Sequence, residues 1–234
     1  MIGGKHVVAA IPARGGSKKI PQKNLRELAG QPLLAWSIRV AKEVSEIDRT
    51  VVSTDDDEIA RVGAIYGAEV IRRSPHLATD DALVIDALRE MRDRMSEEPY
   101  GIDVMLLLEP TCPLRSPEDV RNCLHLLVET GLDSVATFQE ALLNPHRAWR
   151  IEGGVPSVFV PGAVPWLPRQ KQPEAYQLNG AVYAFVSSVL DEGSPGLLTG
   201  KMGAVIMPKS RSIDIDDETD LELAELIVKR GMHE

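Results

Sequence analysis

The chain has 234 residues, of which 44% are hydrophobic and 26% charged, and its formal net charge at pH 7 is −9. This composition is typical of a globular protein with a substantial core and excludes a disordered chain. No apolar run reaches the roughly 18 residues that a membrane span needs, and no signal-peptide pattern follows Met1. We therefore expect a cytoplasmic protein that binds neither membranes nor, given its acidic balance, nucleic acid.

Short apolar runs alternate with segments of helical periodicity over most of the chain. In chain order, the pattern predicts strand 7–11, helix 32–44, strand 49–53, helix 56–66, strand 68–72, helix 81–95, strand 102–109, helix 117–130 and strand 134–138. Continuously apolar strands, each followed by a helix, are typical of an α/β fold with a mostly parallel sheet and helices on both faces. Ligands of such sheets bind beyond the carboxyl ends of the strands.

The alternation stops between residues 139 and 177, where prolines and glycines interrupt every long element. This segment carries Trp149, Trp166 and the apolar run 158–160, so we expect it to pack on something, and a partner subunit is one candidate. Beyond it the pattern predicts strands 179–186 and 204–207 and an amphipathic helix 217–230. The prediction is one domain over residues 1–234, with residues 139–177 as an inserted segment.

A glycine-containing loop with four cations follows the first predicted strand. The cations are Arg14, Lys18, Lys19 and Lys23. Gly15 and Gly16 permit backbone conformations that turn successive N–H groups toward one anion. In an acidic protein, this concentration of positive charge predicts a polyphosphate site. The alternatives are a plain turn and solvated lysines, because the loop has neither the residue order of a P-loop nor that of a dinucleotide-binding fold.

Two aspartates late in the sequence, Asp214 and Asp216, form an Asp-x-Asp pattern in a segment predicted to be extended. Alternation along an extended segment places both carboxylates on one side. Such a pair suits Mg²⁺, which substrate phosphate oxygens would also bind. Helix capping is the alternative, with Asp216 as the N-cap of the last helix and Asp217 in its first turn. Capping leaves Asp214 unexplained.

Three other polar features have structural interpretations. The aspartates at 55–57 follow a strand and begin a helix, and helix N-termini favour aspartate. The loop 109–115 follows a buried strand, faces the expected ligand crevice and is tied down by Arg115 in this interpretation. Cys112 and Cys123 lack the spacing of a metal or redox site, so we expect packed thiols.

Seven short motifs occur in one order along nearly the whole chain, at residues 11–18, 21–24, 53–55, 77–80, 109–115, 179–183 and 212–216. They include Ile-Pro-Ala-Arg-Gly-Gly-Ser-Lys at 11–18, Glu-Pro-Thr-Cys-Pro-Leu-Arg at 109–115 and Ser-Ile-Asp-Ile-Asp at 212–216. In this combination the chain resembles the acylneuraminate cytidylyltransferases, the CMP-sialic acid synthetase family. The resemblance implies a Rossmann-like nucleotidyltransferase that uses CTP and Mg²⁺. Such an enzyme joins CMP to the anomeric hydroxyl of a nine-carbon 2-keto-3-deoxy sugar acid and releases pyrophosphate.

The resemblance also implies roles for individual residues. The family's nucleotide-binding residues correspond to Ala13, Arg14, Gly15, Ser17, Lys18, Lys23, Asn24, Arg73 and Ala82. Its metal-binding pair corresponds to Asp214 and Asp216, which with Arg14 and Lys23 are the implied catalytic residues. Its sugar-acid contacts correspond to Glu109, Arg147, Arg169 and Tyr183. Two of these arginines lie in the inserted segment, which in the family is a dimer arm that reaches the neighbouring subunit's site. A homodimer is therefore implied.

Three residues depart from the family pattern. Glu109 and Cys112 stand where the family usually has Gln and Ser, and Gln177 stands where an arginine is common. A carboxylate beside a sugar acid brings like charges together, which costs roughly 1 to 4 kcal/mol at about 4 Å. We therefore hypothesise an acceptor with a cationic or strongly donating group near Glu109, such as a modified nonulosonic acid or a smaller acid.

Three other functions are open at this point. A cytidylyltransferase for the eight-carbon acid 3-deoxy-octulosonate usually carries Pro-Gly-Lys where this chain has Pro21-Gln22-Lys23. A metal-dependent nucleotide-sugar glycosyltransferase would have its Asp-x-Asp pair after a mid-chain strand, without an early basic loop. A non-catalytic nucleotide-binding regulator would have little use for both features. Pyrophosphate release that depends on CTP and an acceptor separates these functions.

Overall fold

The computed structural model describes residues 1–96, 101–191, 193–194 and 196–231. The strands are β1 (Val7–Pro12), β2 (Glu27–Leu28), β3 (Gln31–Pro32), β4 (Arg49–Thr54), β5 (Glu69–Arg72), β6 (Val104–Leu107), β7 (Ser134–Glu140), β8 (Trp149–Glu152), β9 (Val155–Val158), β10 (Tyr176–Val186) and β11 (Met202–Ile206). The helices are α1 (Leu33–Glu43), α2 (Asp57–Ile65), α3 (Val84–Ser96), α4 (Pro117–Thr130) and α5 (Glu218–Lys229). Every strand and helix predicted from the sequence is present, with shifts of a few residues at the ends.

Seven strands form the central sheet in the order β11-β7-β10-β6-β1-β4-β5. The pairs β1 with β4, β1 with β6, β4 with β5 and β7 with β11 are parallel. Only β10 runs against its neighbours, β6 and β7. The prediction of a mostly parallel sheet is therefore confirmed, with one reversed strand that returns the chain from residues 139–177.

Alternate residues of the strands face two separate cores. In β1, Val7, Ala9 and Ile11 are buried against α1, α2 and α4, whereas Val8 and Ala10 are buried against α3. Strands covered on both faces need apolar residues at every position, which is the reason that the sequence shows continuous apolar runs. The prediction of helices on both faces is confirmed.

A third core joins the last helix to the loop after β1. Leu221, Ala224 and Ile227 of α5 are buried together with Ile20 of that loop and Ile215. The Ile215 N–H also donates to the Thr111 carbonyl at 2.8 Å. These contacts hold the late acidic segment beside the early basic loop, although the two are about 190 residues apart in sequence.

The inserted segment contains a hairpin that the sequence interpretation missed. Strands β8 and β9 pair in antiparallel fashion around Gly153 and Gly154, whose φ angles are 56° and 82°. Positive φ at both central residues is the requirement of a tight type I′ turn, which glycine meets without strain. Trp149 packs on Trp166 with ring centroids 5.9 Å apart, and the Trp166 side chain is 81% exposed. The segment therefore displays an apolar surface, and the expectation that it packs on something stays a prediction.

One smaller sequence prediction, that of packed thiols, also holds. Cys112 and Cys123 are buried free thiols. In the part of the chain that the structure describes, no helix combines the length and the apolar character needed to cross a membrane.

Candidate active site

Two clefts meet beyond the carboxyl ends of β1 and β6. The first, of about 290 Å³, is lined by Arg14, Lys23 and Arg73 among others, and we call it the basic cleft. The second, of about 640 Å³, contains Asp214 and Tyr183, and we call it the acidic cleft. Glu109 lines both clefts and therefore lies at their boundary. This is the place where a doubly covered parallel sheet binds its ligands.

The clefts gather most of the residues predicted to bind substrates. The basic cleft is lined by six of the predicted nucleotide-binding residues, namely Arg14, Ser17, Lys23, Asn24, Arg73 and Ala82. The acidic cleft is lined by Glu109, Tyr183 and Asp214. Ala13, Gly15 and Lys18 line neither cleft. Ala13 is buried, and its N–H donates to the Ser53 carbonyl at 2.9 Å.

Arg14 and Lys18 are both engaged by a carboxylate of the motif at residues 77–80. The Arg14 guanidinium donates to the Thr79 carbonyl at 2.5 Å and pairs with Asp80 at 2.9 Å. Lys18 pairs with the other oxygen of Asp80, and this contact lowers the Asp80 pKa. Asn24, which is buried, donates to the Arg14 carbonyl at 2.9 Å and so fixes the loop. Asp80 thus pairs with the two cationic side chains, Arg14 and Lys18, to which a phosphate would bind.

The two glycines of the loop do not have the predicted conformational role. Neither Gly15 nor Gly16 has a positive φ, so the prediction based on special backbone conformations was wrong. A Cβ at Gly15 would lie 2.8 Å from the Asp56 carboxylate, which means that close packing requires glycine there. The Gly15 N–H donates to Asp55 at 3.0 Å and is not free to bind an anion.

Lys23 connects the basic loop to the Asp-x-Asp segment. Its Nζ donates to the Ile215 carbonyl at 2.8 Å and lies 3.5 Å from Asp216 Oδ1. Lys19 reaches the other Asp216 oxygen at 3.7 Å. The Lys23 side chain is only 16% exposed, whereas that of Lys19 is 68% exposed. The contact between the early basic turn and the late aspartates, which the proposed chemistry needs, is present.

The N-cap of α5 is Asp217, not Asp216 as the sequence interpretation had it. Asp217 accepts from the N–H groups of Thr219 and Asp220, and Asp220 in return accepts from the Asp217 N–H at 3.0 Å. This reciprocal capping satisfies the helix end without the Asp-x-Asp pair. The side chains of Asp214 and Asp216 are thus free of any capping role.

Glu109 has an unusual environment for a carboxylate. Its backbone carbonyl accepts from Ser37 at 3.3 Å and from the buried Arg115, which ties down the loop as expected. Its carboxylate receives no hydrogen bond from any of the residues that the structure describes. Burial, followed by the nearby Asp214 carboxylate, raises the pKa of Glu109 to about 7.

Asp214, like Glu109, has a raised pKa. Protein around its carboxylate, and then Asp216, raise the Asp214 pKa, although a hydrogen bond from Thr111 opposes the rise. Burial and Glu109 raise the pKa of Tyr183 to about 12, so its hydroxyl remains a donor at neutral pH. Asp214 and Asp216 thus raise the pKa of Glu109, and Asp216 raises that of Asp214, so a cation placed there would relieve this repulsion.

The aspartates at 55–57 have the structural role that was expected. Asp56 is the N-cap of α2 and accepts from the N–H groups of Glu58 and Ile59. Next to them, the buried Arg73 donates to the Ser53 hydroxyl at 3.1 Å and to the Ser53 carbonyl at 2.9 Å. Burial lowers the Arg73 pKa, while Asp55 opposes this effect.

Two of the predicted sugar-acid residues line neither the basic nor the acidic cleft. Arg147 donates to the Leu167 carbonyl at 3.2 Å, and Arg169 pairs with Glu140 at 2.7 Å. Both line a separate cleft of about 540 Å³ at the base of the inserted segment. Within one chain, the structure does not bring them to Glu109 and Tyr183.

Three residues at the site were missed by the sequence interpretation. Asp80 and Thr111 belong to the motifs at residues 77–80 and 109–115, and Lys209 lies just before the Asp-x-Asp motif and lines the acidic cleft. The available signal was the position of Lys209 in a basic run, Lys209 to Arg211, ahead of the Asp-x-Asp pair.

Asp214 and Asp216 fit a magnesium site that substrate oxygens complete. Across the described ranges, no group of three or more His, Cys, Asp or Glu side chains is arranged as a metal site. Mg²⁺ does not need such a cage, because it is usually held by one or two carboxylates, waters and substrate phosphates. The observation that favours a cation there is the repulsion of Asp214 by Asp216, which adds to burial in raising the Asp214 pKa.

A sequence profile of the family Cytidylyltransferase matches residues 8–152. The CMP-N,N'-diacetyllegionaminic acid synthase of Legionella pneumophila is 34% identical over 228 residues, which cover 95% of this chain and 96% of that protein. The post-translational flagellin modification protein B of Campylobacter coli is 31% identical, covering 95% of each chain. The N-acylneuraminate cytidylyltransferase of Oncorhynchus mykiss is 32% identical over 97% of this chain, which spans 51% of that longer protein. The chain thus has about half the length of this fish relative.

Two solved structures have the same fold. The CMP:2-keto-3-deoxy-manno-octonic acid synthetase solved with CTP superposes with a TM-score of 0.70 at 18% identity, over 97% of this chain and 100% of that one. The 4-diphosphocytidyl-2C-methyl-D-erythritol synthase of Anaerococcus prevotii gives 0.66 at 17% identity, over 98% of each. These likenesses confirm the Rossmann-like nucleotidyltransferase fold. Together with the family profile and the relatives above 30% identity, they lead to one conclusion: the chain belongs to the cytidylyltransferase family.

Proposed function

We propose that the protein transfers CMP from CTP to the anomeric hydroxyl of a nonulosonic, sialic-acid-like sugar acid and releases pyrophosphate. The observation that carries this proposal is the contact of Lys23 with the Ile215 carbonyl and Asp216, which joins the basic loop to the Asp-x-Asp segment. Glu109 lines both clefts, which supports the binding of a nucleotide in the basic cleft next to an acceptor in the acidic cleft. Similarity to two named CMP-sugar-acid synthases supports the choice of chemistry.

Catalysis in this arrangement depends on positioning and on charge. The acceptor hydroxyl attacks the α-phosphorus of CTP, and negative charge grows on the departing pyrophosphate. Arg14 and Lys23 would hold the β- and γ-phosphates, after Arg14 exchanges Asp80 for a phosphate oxygen. Asp214 and Asp216 would hold Mg²⁺, whose charge, when it is bound, stabilises the phosphoryl oxygens during transfer.

A screen of acceptors tests the proposed function. The purified protein is given CTP and Mg²⁺ with N-acetylneuraminic acid, N,N'-diacetyllegionaminic acid or 3-deoxy-octulosonate, and pyrophosphate and product mass are followed. We expect pyrophosphate release that needs both substrates and a product with the mass of a CMP-nonulosonate. Turnover of the eight-carbon acid alone would show that the acceptor is this acid and not a nonulosonic acid. Absence of turnover with every acid would refute the proposal.

Glu109→Gln is expected to change acceptor choice. Above pH 7 the wild-type carboxylate is ionised and unpaired, so acceptors with amino or other donating groups near it gain an interaction that Gln cannot match. The ratio of kcat/KM for a donor-bearing acid over N-acetylneuraminic acid should rise between pH 6 and 8 in the wild type and stay flat in the variant. An identical acceptor ranking for both proteins would contradict this assignment.

The same variant has a pH signature in stability. Because folding raises the Glu109 pKa from 4.5 to about 7, the native state binds the proton more tightly, and stability falls as pH rises through this interval. Gln removes this loss, so urea unfolding in EDTA should show the variant about 2 to 3 kcal/mol more stable than the wild type at pH 8 and nearly equal to it at pH 4.5.

We also propose a homodimer formed through the inserted segment. Ile151 and Val155 on its hairpin are 71% and 68% exposed, and Phe159 beside them is 56% exposed. A partner subunit would cover these side chains and bring Arg147 and Arg169 toward the partner's acidic cleft. Sedimentation equilibrium that finds only monomer at micromolar concentration would contradict this proposal. The cytoplasmic location expected from the sequence is likewise a proposal, which cell fractionation tests.

A further inference from the structure

The acidic cleft has an uneven distribution of charge. Its lining includes the carboxylates of Glu109, Asp214 and Asp220, and Lys209 is the one cation among the lining residues that the structure describes. If the proposed function holds, the acceptor that enters this cleft carries a carboxylate of its own. Like charges repel this group from Glu109 and Asp214, and Lys209 alone among the lining side chains attracts it.

Lys209 is available for such a contact. Its Nζ lies 3.4 Å from Glu140 Oε2, and its side chain is 46% exposed, so the pair is weak and screened by water. Glu140 also accepts from Arg169 at 2.7 Å through its other oxygen. Lys209 can therefore turn toward a ligand without leaving Glu140 unpaired.

Two neutral side chains of the cleft are already held by other contacts. The Ser212 hydroxyl donates to the Pro208 carbonyl at 2.9 Å and accepts from Asn179 at 2.9 Å. The Gln177 amide oxygen accepts from the Leu142 N–H at 2.9 Å, which fixes that side chain on the strand edge. Neither side chain carries a positive charge, so Lys209 is the cationic candidate among the described side chains that line the cleft within one chain.

We infer that Lys209 binds the carboxylate of the acceptor and thereby orients the sugar in the acidic cleft. In a 2-keto-3-deoxy acid the anomeric hydroxyl is on the carbon next to the carboxylate, so a carboxylate held at Lys209 fixes the direction in which this hydroxyl faces the nucleotide cleft. The acceptors of this enzyme are accordingly acids, and their esters or amides are poor substrates. Lys209 is a specificity-determining residue, because it selects the anion.

The test compares Lys209→Met with Lys209→Arg, using N,N'-diacetyllegionaminic acid and N-acetylneuraminic acid, each as the free acid and as its methyl ester. Loss of a charge-assisted hydrogen bond should raise the KM for the acid about 10- to 100-fold in Lys209→Met. The KM for CTP should stay the same, and Lys209→Arg should retain most of the wild-type preference. The wild type should prefer the acid to the ester, and Lys209→Met should lose that preference, which a merely structural role would not produce.

Lys201→Met is the matched control, because Lys201 is an exposed lysine outside all three clefts, and it should leave both KM values unchanged. If the wild type turns over an acid while Lys209→Met keeps the same KM and the same acid-to-ester ratio, the role of Lys209 is refuted and the proposed function survives. If the wild type turns over none of the acids, both fail together.

Discussion

Lys23→Ala should lower kcat/KM for CTP about 100- to 1,000-fold while the protein remains folded. The ammonium group lines the basic cleft and is mostly buried, so its charge acts on a phosphate with little screening by water. It is also the direct link to the Ile215 carbonyl, which holds the Asp-x-Asp segment in register. Pyrophosphate release from CTP and acceptor, measured with circular dichroism on the same samples, checks the prediction.

Lys19→Ala provides the matched control for Lys23. Both lysines pair with Asp216, but Lys19 is largely exposed and does not line the basic cleft. Exposed ion pairs contribute on the order of 0 to 1 kcal/mol, so this variant should lose less than about tenfold in activity. Equal losses in the two variants would mean that general charge near Asp216 matters rather than the position of Lys23. A folded Lys23→Ala protein with near-wild-type turnover would overturn the phosphate-binding role.

The sheet was predictable because its strands are buried on both faces. A continuous apolar run such as that of β1 predicts a strand that is buried on both faces. The helical periodicity was equally informative, since α4 begins at Pro117 and ends at Thr130 as predicted. The hairpin of β8 and β9 was not predictable in this way, because its residues are exposed and show no buried face. Its signal was the Gly153-Gly154 pair, which marks a tight turn only when the flanking segments are read as strands.

The site was less predictable than the fold. Local patterns indicated a basic loop and a pair of aspartates, but their meeting depends on α5 packing against Ile20 and Leu28, a contact that no local pattern specifies. The family resemblance was needed to place the two at one site. The need for glycine at position 15 could not be predicted either, because it arises from close contact with Asp56, which follows a different strand.

Asp214→Asn is expected to lower turnover at least about 100-fold and, in the absence of divalent cations, to make the fold slightly more stable. Folding raises the Asp214 pKa, so the native state favours the protonated form and loses stability as pH rises through that pKa. Because Asn cannot ionise, the variant should be more stable to unfolding than the wild type at pH 8 but not at pH 3. The gain should be below about 1 kcal/mol, because water screens this exposed residue.

We expect magnesium to reverse the order of stability of the two proteins. With CTP present, MgCl₂ should raise the melting temperature of the wild type, since a ligand that binds only the folded state stabilises it, and should have little effect on Asp214→Asn. Asp217→Asn is the control: this neighbouring carboxylate caps α5, and asparagine caps helices about as well, so both activity and the response to magnesium should persist. A magnesium response that is equal in wild type and Asp214→Asn would show that the ion is held elsewhere. The alternative outcome is that Asp214→Asn alone loses the magnesium response and is more stable than the wild type in EDTA. This result would mean that the repulsion between Asp214 and Asp216 destabilises the fold but creates the place where the cation binds.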